Sequence, residues 1–339
     1  MGSSWTQSWK EELTVGKLYL SLSTPEVLLQ PQWDIGPRAW LFYRFFMLFY
    51  TFGWCVYSGL LFNTPKWLIF LSHLSYCLMG IYYLVAFCNL AGAIIVVRLF
   101  CQKEASHTGG SAVGSSNERS KPFPLPTALD ASLRLQWFLH TVMGSFSIIV
   151  SVIYWTIEYP IVHHALSAFN IDLHIVNSAQ VLLDLGLSAT PIHLAHYLHL
   201  LLVGCLYVLF AVAYWLGGLT NLNGKPFIYK VLDFGGWPLM ASVCVLVFNL
   251  ICLPLFHFLL WNLYLLRRHL AARPGGRRLA LRREKWWWRV GGGDASFPVA
   301  LLDPATSVFA HRKSAAPGGL SQSLLVVTTC GYNGNAAFL

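Results

Sequence analysis

The feature that most constrains this chain is the uneven distribution of its charged residues. Six long apolar stretches carry only three charges, Arg44, Asp172 and Asp184, and all the other charged residues lie between or beyond those stretches. A helix needs about 20 consecutive, mostly apolar residues to cross the hydrocarbon core of a bilayer. The pattern therefore predicts an all-α, polytopic transmembrane helical bundle of about six spans, at residues 40–62, 67–97, 135–157, 172–188, 192–216 and 237–266.

The composition excludes a water-soluble globular fold. Charged residues make up 11% of the chain, whereas about 25% is typical of soluble domains. The net charge of +9 could suggest a nucleic-acid partner, but the basic residues concentrate at the edges of the apolar stretches. We therefore expect membrane lipids as partners, with other membrane proteins as a further class, and no nucleic acid.

Lysine and arginine are distributed unequally between alternate loops, with 19 in one set of non-membrane segments and 3 in the other. Cytoplasmic loops collect these residues, so both termini are predicted to be cytosolic. The chain then divides into a cytosolic segment 1–39, a six-span domain 40–270 and a basic cytosolic tail 271–339. The Gly/Ser-rich loop 98–134 is predicted to be flexible, and the tail is predicted to be disordered because it lacks apolar periodicity.

The fourth stretch, 172–188, is the most polar of the six and supplies a candidate site. A polar face inside a membrane must contact protein or water rather than lipid. Two interpretations stay open, namely a functional site lined by its outer residues and simple interhelical hydrogen bonding. At 100° per residue, five of its polar side chains fall within an arc of about 120°: His174, Asn177, Ser178, Asp184 and Ser188.

Two opposite charges occur at matching depths in two different spans. Arg44 is the fifth residue of the first span, and Asp184 lies four residues before the end of the fourth. An unpaired charge at such a depth costs at least about 2.5 kcal/mol on insertion scales. We therefore expect a buried Arg44–Asp184 ion pair with a structural role, and a catalytic role stays open as the alternative.

No local motif identifies an enzyme, a metal site or a cofactor site. The sequence has no G-x-S-x-G, H-E-x-x-H, P-loop or Rossmann pattern. His193 and His196 could share a helix face, but local spacing fixes no third metal ligand. His174 and Ser178, one turn apart, would be the catalytic candidates of a hydrolase. Because no group that would stabilise an oxyanion is identifiable, we expect no enzymatic activity, metal or cofactor.

Three segments resemble the rolling stone family of multi-pass membrane proteins. They are LLQPQWDIGPRAWLFYRFFMLFY at 28–50, HIVNSAQVLLDLGLSATPIHLAH at 174–196 and AYWLGGLTNLNGKPFIYKVLDF at 213–234. The resemblance covers roughly residues 5–270 and stops before the tail. It implies a plasma-membrane protein with a role in cell fusion, such as that of myoblasts, or in membrane organisation.

The rolling stone family is similar, more distantly, to the androgen-induced membrane hydrolases, which cleave fatty acid esters of hydroxy fatty acids with an intramembrane Thr and His. The resemblance implies that the catalytic His is the second one of an H-x-x-H-T segment. The matching segment here is His174–Ser178, in which Asn177 occupies that position, and Asn cannot act as a base near neutral pH. Residues 42–44 lack the nucleophilic Thr, and Thr51 lies two turns deeper. The alternative function is therefore an intramembrane lipid ester hydrolase that uses other residues.

Overall fold

The computed structural model describes residues 12, 14–108, 127–162, 166–273, 275–276, 286 and 289–290. Within these residues, five helices are long and apolar enough to cross a membrane. The predicted class, an all-helical membrane-embedded fold, is confirmed for this part of the chain. The five helices are α1 (Pro37–Phe62), α2 (Leu71–Phe100), α3 (Leu129–Ile161), α5 (Leu194–Leu216) and α6 (Pro238–Ala272).

The fourth predicted span also forms a helix, α4, in three consecutive segments: Ala168–Ile171, Asp172–Val176 and Asn177–Leu187. One end of α4 lies beside the end of α1, where the rings of Phe169 and Phe62 are 5.6 Å apart. Its other end lies beside the beginning of α1, at Arg44 and Asp184. The helix α4 therefore runs antiparallel to α1, although it is too polar to be one of the five apolar helices.

The helix α3 is the central helix of the bundle. In its most apolar window 78% of the residues are buried, against 22% in α1, α5 and α6. It packs against α2, α4, α5 and α6. A helix that is surrounded by protein can carry polar groups on several faces, because those groups find partners on the neighbouring helices. This position explains why α3 supplies residues to several of the polar contacts described below.

Helix ends differ from the predicted spans in α2 and α3. A short 3₁₀ helix, Pro65–Ile69, precedes α2, which begins at Leu71. The helical backbone of α2 then continues to Thr108, and that of α3 begins at Thr127. Both helices thus extend into the predicted flexible loop 98–134, because helix-forming residues continue beyond the apolar stretch. The middle of that loop lies outside the described residues.

Three of the helices contain a π-helical turn, at Tyr154–Glu158 in α3, Asp172–Val176 in α4 and Phe248–Cys252 in α6. The turn in α6 directly precedes the segment that contains Pro254. Proline has no N–H and its ring displaces the carbonyl four residues earlier. A π turn, in which the backbone bonds reach one residue further, accommodates this interruption without ending the helix.

The helices α5 and α6 approach each other closely at Gly204. A Cβ atom at this glycine would lie 2.7 Å from Leu253 Cδ1 and would also overlap the Asn249 side-chain oxygen. Small residues at such crossings allow two helix backbones to pack closely inside a membrane. Gly204 therefore fixes the distance between α5 and α6.

Some residues outside the apolar helices pack against the bundle end that contains Arg44. Trp286, within the predicted tail 271–339, is fully buried and its Nε1 donates to Ile35 O at 3.2 Å. Arg289 binds both carboxylate oxygens of Asp34, at 2.7 and 3.3 Å. The predicted tail therefore contains residues that contact the N-terminal segment, while most of residues 277–339 and residues 1–11 lie outside the described residues.

Candidate functional site

The structure brings Arg44 and Asp184 into direct contact. Arg44 Nη1 lies 2.5 Å from Asp184 Oδ1, and both side chains are almost completely buried. Arg44 lies near the beginning of α1 and Asp184 near the end of α4, so the antiparallel arrangement of these helices places the two charges at the same depth. The contact joins α1 to α4 with a charge-assisted hydrogen bond, a class that is shorter and stronger than neutral hydrogen bonds.

Three further side chains surround the Asp184 carboxylate. Tyr82 of α2 donates its hydroxyl to Oδ2 at 2.7 Å, and Tyr43 of α1 donates to Oδ1 at 3.1 Å. His140 Nε2 of α3 lies 3.6 Å from Oδ2. We call these five residues, Arg44, Asp184, Tyr43, Tyr82 and His140, the Asp184 centre. Each carboxylate oxygen thus has more than one polar neighbour, and four helices meet at one charge.

The Arg44 guanidinium also contacts groups other than Asp184. Its Nη1 also donates to the Tyr82 hydroxyl at 3.0 Å, so this hydroxyl accepts from the cation and donates to the anion. The guanidinium carbon lies 4.5 Å from the centre of the Trp40 ring, within the range of a cation–π contact. Trp40 itself is anchored because its Nε1 donates to Leu29 O at 2.8 Å. The N-terminal segment is thereby connected to the Asp184 centre.

A second buried arginine, Arg267 of α6, binds the backbone that ends α4. Its Nη1 donates to Leu185 O at 2.7 Å and to Ser188 O at 2.5 Å, and its Nη2 donates to Thr190 O at 2.8 Å. The last carbonyl groups of a helix lack intrahelical partners and carry partial negative charge, so a cation stabilises them. The sequence reasoning put Arg267 at the boundary of a basic tail, whereas it is buried in the bundle.

The N-terminal segment binds the remaining carbonyl groups at the same end of α4. Gln32 N–H donates to Leu187 O at 2.7 Å, and Trp33 Nε1 donates to Gly186 O at 2.7 Å. Unpaired backbone groups are very unfavourable within a bilayer. The C-terminal end of α4 is therefore satisfied by a side chain of α6 together with the segment before α1.

The polar stripe predicted on α4 is directed towards protein rather than lipid. Asn177 and Ser188 are fully buried, and Asn177 Nδ2 donates to Leu173 O at 3.1 Å. The Ser178 hydroxyl lies 2.6 Å from Ser151 Oγ of α3 and 3.2 Å from Ser147 O, to which it donates. These contacts join α4 to the central helix.

His174 and Ser178, the catalytic candidates, contact different groups. The His174 ring stacks on Tyr154 of α3, with ring centres 3.5 Å apart, and is buried. The described hydrogen bonds of the Ser178 hydroxyl go to Ser151 and Ser147 instead. A serine nucleophile needs a base that accepts its hydroxyl proton, and the Ser178 contacts do not supply one.

Asp172, near the opposite end of α4, has a different environment. The Tyr50 hydroxyl of α1 donates to Asp172 Oδ1 at 2.6 Å. Among the described residues, no basic side chain lies within salt-bridge distance of this carboxylate. About two turns further along α4, the Thr51 hydroxyl of α1 donates to Gln180 Oε1 at 3.2 Å. The hydrogen bonds that join this part of α4 to α1 therefore have at most one charged partner, the Asp172 carboxylate.

The histidines around the beginning of α5 form a cluster with α3 and α6. The rings of His196 and Trp137 are 4.9 Å apart, and those of His196 and His193 are 5.3 Å apart. In α6, His257 Nε2 lies 2.9 Å from His193 O, and its Nδ1 lies 3.2 Å from Ser145 Oγ of α3. Within the described parts of the chain, no group of three or more potential ligands has a metal-binding geometry.

Glu12 connects the beginning of the chain to the beginning of α5. Its Oε2 accepts the Leu194 N–H at 3.0 Å and lies 3.1 Å from His193 Nδ1. Burial raises the pKa of the Glu12 carboxyl, but the hydrogen bonds and positive charge supplied by His193, together with the Leu194 N–H, outweigh burial and lower that pKa below its ordinary value. An acidic group at a helix N-terminus is also favoured by the helix dipole.

These features define a polytopic helical membrane protein in which helices α1 to α4 meet at a buried charged centre. The sequence family described as Protein rolling stone matches residues 3–274, so the chain belongs to this family and the resemblance found in its three segments is confirmed. The chain is 22% identical over 269 residues to Protein rolling stone of Drosophila melanogaster, which covers 77% of this chain and 90% of that protein. No solved structure matches the chain.

Sequence reasoning missed several residues of this site. Tyr43, Tyr82 and His140 complete the coordination of Asp184, but each lies in a long apolar stretch in which no polar periodicity distinguishes one face. Arg267 was missed because the composition changes abruptly at that position. The sequence did contain a signal for Arg267, because this residue directly follows the uncharged stretch 237–266. A helix that continues by one residue carries it into the bundle.

Proposed function

We propose that this rolling stone-family protein is a non-enzymatic plasma-membrane protein that acts in cell fusion, such as that of myoblasts, or in membrane organisation. Family membership supports the general class, and the contacts at the Asp184 centre support the non-enzymatic part of the proposal. Every member of that centre binds another protein group. Such an arrangement is typical of a structural contact between helices rather than of a catalytic site.

The observation that carries this proposal is the small volume of the cavity beside His140 of the Asp184 centre. The cavity lined by His140 and His257 has a volume of about 10 Å³, which is just enough for one water molecule. Ligand pockets for small molecules typically measure about 300 to 1,000 Å³. A long-chain ester therefore has no room next to His140, and the ion pair beside it is best explained as a fixed link between α1 and α4.

A direct activity measurement tests the non-enzymatic proposal. The detergent-purified full chain should hydrolyse long-chain hydroxy fatty acid esters no faster than a variant with His174→Ala and Ser178→Ala, and a fluorophosphonate probe should not label it. Turnover in the parent protein that disappears in the double variant would show that α4 carries a hydrolase site and would overturn the proposal.

A cell assay tests the proposed role in fusion. Two populations of cultured myoblasts that carry different cytosolic fluorophores should mix their contents less often when the protein is depleted. Re-expression of the parent chain or of the His174→Ala, Ser178→Ala variant should restore mixing equally, because the proposal assigns no chemistry to these residues. Normal mixing after complete depletion would contradict the fusion role.

We also propose that α4 crosses the membrane, which gives six spans with both termini in the cytosol. Its 20 helical residues from Ala168 to Leu187 correspond to about 30 Å, the thickness of the hydrocarbon core. Arg267 near the end of α6 contacts Ser188 O at the end of α4, and Arg289 contacts Asp34 before α1. These contacts support the N-terminal segment and the residues after α6 on the same side of the membrane. The 19 to 3 excess of basic residues supports the cytosol as that side.

Epitope tags distinguish this topology from its inverse. A tag after residue 2 should be stained in cells only after permeabilisation, whereas a tag inserted in the 217–236 loop should be stained without it. A tag after residue 2 that is accessible in intact cells would reject the proposed orientation.

One contact favours the second candidate, an intramembrane lipid ester hydrolase related to the androgen-induced hydrolases that uses residues other than their Thr and His. Ser145 Oγ lies 3.2 Å from His257 Nδ1, and His257 Nε2 is oriented by His193 O at 2.9 Å. A histidine that accepts from serine while its other nitrogen is held is the arrangement of an activated nucleophile. If this candidate is correct, Ser145→Ala should abolish fluorophosphonate labelling of the purified protein, and the matched Ser151→Ala variant should retain it.

A further inference from the structure

An apolar groove of about 540 Å³ lies between α2, α3 and α5. Its floor is buried, with Phe146 of α3 and Tyr207 of α5 less than 9% exposed, whereas Leu206 at its rim is 56% exposed. Leu74 and Leu78 of α2 line one wall. The groove is within the size range of ligand pockets, about 300 to 1,000 Å³, and it opens on the lipid-facing surface of α5.

The length of the groove matches one leaflet of a bilayer. Its lining on α5 extends from Val203, in the middle of the helix, to Tyr214, near its end. A rise of 1.5 Å per residue makes this distance about 16 Å, close to half of the roughly 30 Å hydrocarbon core. On α2, the lining residues Leu71 to Leu78 belong to the first turns of the helix. The groove therefore runs from one membrane edge to near the midplane.

A cation lies at the membrane-edge end of this groove. Pro65 lines the groove, and the next residue, Lys66, places its Nζ 3.0 Å from Thr220 Oγ1. Thr220 O in turn accepts the hydroxyl of Tyr214, another lining residue, at 2.9 Å. Within the described part of the chain, no carboxylate is in salt-bridge distance of Lys66. Within the described residues, the positive charge at this end thus lacks an acidic partner.

From these observations we infer that the groove binds one phospholipid, with an acyl chain between α2, α3 and α5 and the phosphate at Lys66. An unfilled groove would forfeit the dispersion contacts of its lining, and a hydrocarbon chain is the occupant that a bilayer supplies at this depth. A lysine ammonium pairs favourably with a phosphate through charge-assisted hydrogen bonds. The one-leaflet length and the cation at one end together match a lipid with an apolar chain and an anionic group.

Photolabelling in a bilayer tests this site directly. The full chain would be reconstituted in phosphatidylcholine vesicles that contain a trace of phosphatidylcholine with a diazirine in one acyl chain, and labelled peptides would be mapped by mass spectrometry. We expect labelling of residues 203–214 and 71–78 in clear excess over the similarly exposed lipid-facing surface of α1. Equal labelling of all lipid-facing helices would overturn the inference, since it would show only bulk lipid.

Paired variants separate groove binding from general effects on the fold. Leu206→Trp fills the groove and should reduce its labelling to the level of α1, whereas Leu209→Trp, on the same helix but outside the groove lining and 64% exposed, should leave it unchanged. Lys66→Gln should weaken labelling by about 1.5- to 5-fold, the range for an exposed ion pair, while Lys225→Gln in the 217–236 loop should not.

A parallel experiment with a free fatty acid tests whether the anionic group at Lys66 is a phosphate or a carboxylate. A diazirine fatty acid added to the same vesicles should label the groove less than the phospholipid probe at equal mole fraction. If the fatty acid labels the groove better, or if Leu206→Trp and Leu209→Trp behave alike, a phospholipid site is rejected. Labelling of residues 203–214 below that of α1 would equally reject it, because a second copy would then shield the groove from lipid.

Discussion

The two acidic residues of α4 occupy contrasting environments in one helix. Asp184 contacts an arginine, two tyrosines and a histidine from three other helices, and the backbone beyond it is bound by Arg267. Asp172 accepts a hydrogen bond from Tyr50 and, within the described residues, has no basic partner. The same residue type therefore has very different consequences at the two ends of α4.

The contrast shows where the bundle is fixed. A charge inside a membrane is tolerated when its partners replace the water it has lost. Asp184 has such partners from three other helices. The Asp172 end relies on hydrogen bonds from neutral side chains, and such bonds contribute about 0.6 kcal/mol on average in membrane proteins. Perturbations at the Asp184 end should thus be much more damaging.

The largest effect is expected for Asp184→Asn. The substitution keeps the shape of the side chain but leaves the Arg44 guanidinium buried without a counter-charge, which costs about 3 to 5 kcal/mol. The melting temperature of the purified protein and its expression level should both fall sharply. The double variant Arg44→Met, Asp184→Leu should recover much of the loss, because it removes both charges. A double variant that is no more stable than Asp184→Asn would refute the pairing.

An intermediate effect is expected for Arg267→Met. The variant removes the donors of three backbone carbonyl groups at and just after the end of α4, each at about 1 to 3 kcal/mol. It also removes a buried cation, whose unfavourable desolvation offsets part of this loss. Thermal melting in detergent should show this loss, and the neighbouring Arg268→Met, whose side chain is exposed, should melt like the parent. Equal melting of both variants would mean that Arg267 does not stabilise α4.

A smaller effect is expected for Asp172→Asn, the direct counterpart of Asp184→Asn. The amide oxygen can still accept the Tyr50 hydroxyl, and no cation becomes unpaired, so stability should change by about 0.6 kcal/mol, the average for one hydrogen bond in a membrane protein. Melting of the two Asn variants side by side measures the difference between the ends of α4. If Asp172→Asn lowers the stability as much as Asp184→Asn does, the proposed difference between the two ends of α4 is wrong.

The smallest effect is expected at Glu12 and should depend on pH. The folded pKa of Glu12 is lowered, so its stabilising contribution is present above the unfolded pKa of about 4.3 and is lost as pH falls through the lower folded pKa. Glu12→Gln should therefore melt slightly below the parent at pH 7 and like the parent near pH 3. A Glu12→Gln deficit that persists at pH 3 would contradict the assignment.

The sequence predicted the membrane-embedded helices because a bilayer requires long uncharged stretches, and this signal needs no tertiary information. The same stretches also predicted the Arg44–Asp184 pair. The depth of each charge follows from its distance in residues to the nearest span end, and each of the two is the sole ion of its sign at that depth. It could not select Tyr82 from the many aromatic residues of α2, since that helix is apolar on all sides. The phospholipid groove depends on how α2, α3 and α5 cross, which residue spacing does not specify.

The relation between His174 and Ser178 illustrates a different limit. Ideal helical spacing puts residues four apart on one face, which made these two residues a plausible base and nucleophile. In the structure His174 belongs to the π-helical turn Asp172–Val176, whereas Ser178 follows it in regular helix. The angular relation of a regular α-helix does not hold across such a turn, and the two side chains contact different residues of α3.

The π turn in α4 also has an evolutionary consequence. A π turn contains one residue more than an α-helical turn, so removal of one residue from Asp172–Val176 could be absorbed by a return to regular helix, with Asp184 still facing Arg44. Removal of one residue between Asn177 and Asp184 would instead rotate the two parts of α4 relative to each other by about 100°. Within α4, single-residue insertions and deletions among related sequences should therefore concentrate at this turn.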